Sequence, residues 1–304
     1  MNSPIDKTPE EKQDGPDPQQ VVRRDDLATG KQPPADNGLK GRFMSVMALP
    51  NDSTKKTLAV ALVMCLACSI LVAGAAVLLR PLQSANAALD RKRNILAVAG
   101  LLQSGEDVEA AFANVQRRMV DLETGEFTDK FMDVEYDQYV AARDPELSVS
   151  IPDDEDIAGI GRKARYSEVY LVGEGDDFTQ IILPVNGLGL WSTLYGFVSL
   201  DSDLRTIQGL KFYDHAETPG LGGEVDNLEW QAQWKGKLAY DDSGDVRIQV
   251  IKGVVDENSA DAAFSVDGLA GASLTSHGVT QLLRFWLDEQ GFGTFLENLR
   301  QQGA

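Results

Sequence analysis

Cysteine and histidine are scarce in this chain of 304 residues, with two of each. Two cysteines cannot build a framework of disulfides. Cys65 and Cys68 form a Cys-x-x-Cys pair, a spacing that can carry redox or metal chemistry. No second pair and no nearby histidine completes such a site, and both sit inside an apolar run, so they read as packing residues. His215 and His277 have no serine or cysteine nucleophile pattern beside them, which excludes a hydrolase triad. Basic charge is also short. The net charge is −19 and the pI about 4.5, against the basic surface that nucleic-acid binding requires. No glycine fingerprint of a dinucleotide fold and no P-loop occurs. A second long apolar run is missing too, so the chain offers one membrane crossing and no more.

What is present is unevenly arranged. Residues 1–56 hold nine acidic and nine basic residues; the remainder holds 38 acidic against 19 basic. Seven of the twelve prolines fall in residues 1–50, among Asp, Gln and Lys. Such a segment buries too little apolar surface to offset its ordering entropy, which predicts a disordered tail over 1–56. Thr57 to Leu79 then runs for 23 residues without a charge. At about 1.5 Å per residue it spans roughly 35 Å, enough for a bilayer core of about 30 Å. A membrane helix is expected over 57–80. Lys and Arg flank it on both sides, so charge alone leaves its orientation open.

Beyond the membrane segment, residues 81–165 read as a helical connector and the start of a soluble domain. Ile95, Val98, Ala99 and Leu102 fall at helical spacing within 86–103, with a break expected at Gly105. From about residue 165 the pattern changes, and 166–304 read as the body of the ligand-binding domain. Short β-branched or aromatic runs, "RYSEVYLV", "FTQIILPV", "TLYGFVSLD", "TIQGLKFYDH" and "VRIQVIKGV", are punctuated by Gly, Asp and Asn, as strands are. Val279, Leu282, Leu283, Trp286 and Leu287 then trace one face of an amphipathic helix, and Phe292, Phe295, Leu296 and Leu299 close the chain. The fold class expected is α+β: a mixed or antiparallel sheet packed by helices, behind a single transmembrane helix.

Three small-residue stretches stand out. "VNGLGLWSTLYGF" carries Gly187, Gly189 and Trp191. "HAETPGLGGEVDN", residues 215–227, carries three glycines and a proline. "VDGLAGASLTSHGV", residues 266–279, packs glycines and hydroxyls where a helix begins. Thr275 and Ser276 are good N-cap types, and a helix N-terminus favours phosphate. Three such loops in one domain suit a flat ligand held by several converging segments.

"DGLAGASLT", residues 267–275, resembles the flavinylation motif of covalent FMN-binding domains, Asp-x-x-(Ser/Thr)-Gly-Ala-(Ser/Thr)-x-Thr. "ETPGLG" (217–222), "GLGLWSTLYGF", "LDRKRNILAVAGL" and "GFGTFLENLR" narrow the likeness to the C subunits of sodium-translocating NADH:quinone reductases, over roughly residues 57–300. The resemblance implies FMN joined through its phosphate to Thr275 by a phosphoester, made from FAD by a separate flavin transferase. Gly271, Ala272, Ser273 and Leu274 would surround the phosphate, and Asp267 would orient the loop or help a metal ion during attachment. Leu190 and Trp191 would bracket the flavin ring, Glu217, Thr218 and Leu221 would wall its other side, and Lys252 would offset negative charge. The partners implied are the other subunits of a membrane NADH:quinone reductase that moves sodium, with the FMN domain on the periplasmic side of the inner membrane. Ala270 departs from the motif, which has Ser or Thr there. The related ferredoxin-linked ion-translocating complex and a membrane-anchored interaction module without turnover stand as alternatives.

Overall fold

The computed structural model describes Gly38, Gly41 and residues 44–46, 48–102, 105, 107–174 and 177–302; most of the expected disordered tail, 1–56, lies outside them. The chain divides into two compact units at Leu78/Leu79.

Helix α1 covers Thr54–Val98. Its apolar stretch is exposed all round, and it is the one helix among the described residues long and apolar enough to cross a membrane. Cys65 and Cys68 are free and exposed on it. The helical spacing read over 86–103 belongs to α1 itself, which runs on from the membrane segment through Pro81. A proline removes one ladder hydrogen bond, and no other breaker follows before Gly100. There Gly100 takes φ +69°, and the N–H groups of Leu101 and Gly100 bond the carbonyls of Leu96 and Ala97. That pair is a Schellman stop. Leu102 therefore lies past the helix, and the break comes at Gly100 rather than Gly105.

Among the described residues the second unit is built on ten strands: β1 (Val115–Asp121), β2 (Glu126–Thr128), β3 (Ser148–Ser150), β4 (Arg162–Ala164), β5 (Tyr166–Glu174), β6 (Asp177–Leu188), β7 (Thr193–Asp201), β8 (Ile207–Asp214), β9 (Gln249–Val250) and β10 (Ser265–Val266). Six of them form an antiparallel sheet in the order β2-β1-β5-β6-β7-β8. Its first strand in the chain, β1, falls within 81–165, upstream of the strand-rich pattern that begins near residue 166. Both faces are covered. Tyr170, Val172, Ile182 and Phe197 cluster with Ile95, Leu96 and Val98 of α1. Val169, Leu171, Ile181, Leu183 and Val185 cluster on the other side with Val279, Leu282, Leu283 and Trp286. Two buried faces explain why "IILPV" runs apolar without alternation.

The last four residues belong to α2 (Ser273–Leu287), which packs on β6. Val279, Leu282, Leu283 and Leu287 are wholly buried, and each contributes roughly 1.5–3 kcal/mol by leaving water. Helix α3 (Gly293–Gln302) adds Phe295 and Leu296 to the same core. The run "VRIQVIKGV" gives only the two-residue β9, paired in parallel with β10. Arg247 and Ile248 both direct their N–H groups to the Ala239 carbonyl, so the chain turns there instead of extending. That small pairing delivers residues 267–272 to the start of α2.

Within β5, Glu168 is buried and takes three donors. Arg91 of α1 bonds one oxygen, shared with the Tyr170 hydroxyl at 2.9 Å, and Arg117 Nε bonds the other at 2.7 Å. Arg117 also donates to the carbonyls of Phe131, Met132 and Val134.

Candidate functional site

The three small-residue stretches meet at one carboxylate. Glu217 is only 5% exposed. Its Oε1 accepts from the backbone N–H groups of Leu190 (3.0 Å), Trp191 (2.8 Å) and Ser192 (3.3 Å) in the β6–β7 turn. Its Oε2 accepts from the Thr275 hydroxyl at 2.6 Å. The close approach needs glycine on two sides. A Cβ at Gly189 would lie 2.6 Å from Oε1, and one at Gly222 would lie 2.6 Å from both Oε2 and Thr275 Oγ1. Burial alone would raise the Glu217 pKa. The Thr275 hydroxyl and the three N–H groups outweigh it and hold the carboxyl below its ordinary value.

Neighbouring groups fix this hub. The Ser192 hydroxyl accepts from Ala216 N at 2.7 Å. His215 Nδ1 accepts from Glu217 N at 3.2 Å, and its Nε2 pairs with Asp226 at 2.9 Å. The Thr218 carbonyl takes the N–H groups of Leu221 and Gly223, closing the turn. Thr275 and Ser276 were expected to cap the helix. Instead Ala272 is the N-cap, with no side-chain cap bond, and the two hydroxyls lie inside the first turn. Thr275 is fully buried and points at Glu217; Ser276 Oγ accepts from Leu269 N at 3.0 Å. Small residues before the helix and hydroxyls within it look like a capping signal in sequence, but the hydroxyls are committed to tertiary partners.

Leu190, Trp191, Leu221 and Leu274 are all exposed on these same segments, Trp191 at 69%. Gly271, at φ +73°, sits so close to Leu221 that a Cβ would lie 2.8 Å from its Cδ2. Lys252 is brought elsewhere. It lines a cleft of about 560 Å³ with Asp267, Gly271, Ser273 and His277, and Thr275 is not among the residues that line it. Asp267 orients the loop: its carboxylate accepts from Val255 N at 2.7 Å, and its carbonyl from Trp230 Nε1 at 2.8 Å. Ala270 is exposed on the rim of that cleft, so its missing hydroxyl removes no buried contact. The roles of Ser192 and Gly222 were not legible in the sequence; a hydroxyl and a glycine inside loops already rich in both carry no separate signal.

An FMN-binding domain family model matches residues 189–288, a span that contains Leu190, Trp191, Ser192, Glu217 and Thr275. The C subunit of the Na(+)-translocating NADH-quinone reductase of Pseudomonas aeruginosa is 54% identical over 257 residues, covering 83% of this chain and 98% of that one. The chain belongs to this NqrC family. The Yersinia pestis member is 48% identical over 256 residues, 83% of this chain and 95% of its own. Among solved structures, Shewanella oneidensis NqrC aligns with a TM-score of 0.64 at 32% identity, covering 70% of this chain and 97% of that one.

Proposed function

We propose that this chain is the electron-carrying NqrC component of a sodium-translocating NADH:quinone reductase complex, with FMN joined by a phosphoester to Thr275. The observation that carries the reading is the convergence on Thr275: three loops and a buried carboxylate fix one hydroxyl beneath a rim of exposed Leu190, Trp191, Leu221 and Leu274. Exposed large apolar side chains grouped around a polar centre suit a flat ring with a charged tail. The N-terminus of α2 has no side-chain cap and no acid in its first turn, so its partial positive charge favours a phosphate by about 0.3–1 kcal/mol. Lys252 adds positive charge in the adjoining cleft.

When bound, FMN supplies the redox chemistry. The chain's own residues hold and orient it. Leu190 and Trp191 flank the ring from one turn, Leu221 from the other, and Thr275 tethers it through the phosphate. A tether keeps the flavin with a domain that moves between electron partners. Helix α1 anchors the domain as a single-pass segment of the inner membrane, with the FMN domain on the periplasmic side. The partners are the other subunits of the complex and the flavin transferase that makes the bond from FAD.

The chain expressed with a flavin transferase, denatured and separated on a gel, gives a band fluorescent under ultraviolet light. Thr275→Ala gives a dark band of equal protein. A dark wild-type band, or a fluorescent variant, refutes the assignment. Co-purification with an NADH-oxidising flavoprotein subunit, rather than a ferredoxin-type one, identifies the complex.

A further inference from the structure

We propose that Glu217 holds the Thr275 hydroxyl in position for flavin attachment and accepts its proton as the bond forms. This deepens the reading above and rests on it, since it takes Thr275 as the attachment residue. A threonine hydroxyl is a weak nucleophile until a base takes its proton. Such a base must lie within about 2.6–3.2 Å of the hydroxyl oxygen. Glu217 Oε2 lies at 2.6 Å.

The two carboxylate oxygens divide the work. Oε1 takes the three N–H groups of residues 190–192, which fixes the side chain. Thr275 is the one hydrogen-bond partner of Oε2 among the described residues, so that oxygen is free to take a proton. The other titratable groups nearby are placed differently. His215 meets the backbone N–H of Glu217 and, through its far nitrogen, Asp226. Lys252, Asp267 and His277 line the cleft beside Ser273.

The step balances without any change of oxidation state. A bond forms between Thr275 Oγ1 and the phosphorus on the flavin side of an FAD donor. The bond from that phosphorus to the adenylate leaving group breaks. The hydroxyl proton passes to Glu217 Oε2. Thr275 is wholly buried, so the loops over it must part for the donor to reach it.

The test uses the full-length chain free of flavin, in detergent, with a flavin transferase and FAD. The initial rate of covalent flavin incorporation is read by gel fluorescence and intact mass, and folding by thermal melting. In Glu217→Gln the amide oxygen takes over the three N–H bonds, and the amide nitrogen then donates to Thr275 Oγ1. The loop stays held while the proton acceptor is lost. We expect attachment to slow about 100-fold or more in a chain that still melts cooperatively, with a melting temperature lowered modestly at neutral pH by the loss of the carboxylate charge. We also expect the variant's rate to climb with pH from neutral to mildly alkaline while the wild-type rate stays flat. Gly222→Ala presses a methyl group against both Oε2 and Oγ1, forcing the pair apart without removing either, and slows attachment in the same sense. A folded Glu217→Gln chain that is labelled at the wild-type rate, or one slowed with a wild-type pH profile, overturns the inference and leaves Thr275 as the attachment residue. If Glu217→Gln does not fold, Gly222→Ala decides: labelling at the wild-type rate overturns it. A wild-type chain that takes no flavin overturns the reading beneath it.

Discussion

Replacing Glu168 by glutamine tests whether the buried ion cluster fixes the extramembrane end of α1 to the sheet. The Glu168 side chain is 4% exposed, whereas its partners Arg91 and Arg117 are 36% and 29% exposed. Removing one member of a fully buried pair costs about 3–5 kcal/mol, because a charge is left without a partner. Here the stranded guanidinium groups reach water, and Arg117 keeps three carbonyl acceptors. The expected loss is therefore lower, about 2–3 kcal/mol. For a domain of this size each kcal/mol lowers Tm by about 2–4 °C, so the Tm should fall by roughly 4–12 °C. The assay is thermal unfolding of the detergent-solubilised chain followed by circular dichroism. Arg93→Gln is the control: its pair with Asp90, at 3.3 Å, is solvated on both sides, and an exposed pair of this kind is worth about 0.3–0.5 kcal/mol. If both variants melt together within about a degree, the cluster does not hold α1 to the sheet and the reasoning fails.

Three other predictions follow from the same structure. The Glu217 carboxyl is held below its ordinary value, so its stabilisation is fully present above the unfolded-state pKa and is lost as pH falls through the folded one. Glu217→Gln should flatten the acid limb of stability against pH, measured by denaturant midpoints; an unchanged limb contradicts the assigned shift. Trp191→Ala removes a side chain that is mostly in water, so stability should change by about 0.5 kcal/mol or less, while the fluorescence and visible spectrum of the bound flavin shift; identical spectra exclude Trp191 from the ring's surroundings. Cys65→Ser with Cys68→Ser should leave covalent flavin content unchanged, and a loss of flavin would give the pair a role beyond packing.

The strands of residues 166–214 were legible almost residue by residue, because β-branched runs alternate with Gly, Asp and Asn breakers. β1 was not. Its sequence "VQRRMVD" is polar where it crosses the sheet, and Arg117 is tolerated there only because Glu168, distant in sequence, pairs with it. The helix leaving the membrane was readable from the spacing of Ile95, Val98 and Ala99, and Pro81 inside it removes a single bond. At the site, the convergence of three glycine-rich loops was readable. The carboxylate that organises them was not, since Glu217 could be read only as one wall of a ligand site. Its hub role depends on Oε1 and Oε2 facing different elements, which no local pattern encodes. Lys252 lies outside the three glycine-rich stretches, in the run "VRIQVIKGV", and lines the cleft that holds Ser273 rather than the Glu217 hub.

The most direct test of the account is where the flavin is attached. The chain matured with a flavin transferase is digested, and the peptide bearing Asp267 to Arg284 is fragmented by tandem mass spectrometry. The account predicts one FMN, less the water lost in the phosphoester, on Thr275 alone. FMN on Ser273 or Ser276, or an unmodified peptide from a chain that still holds flavin, would contradict it.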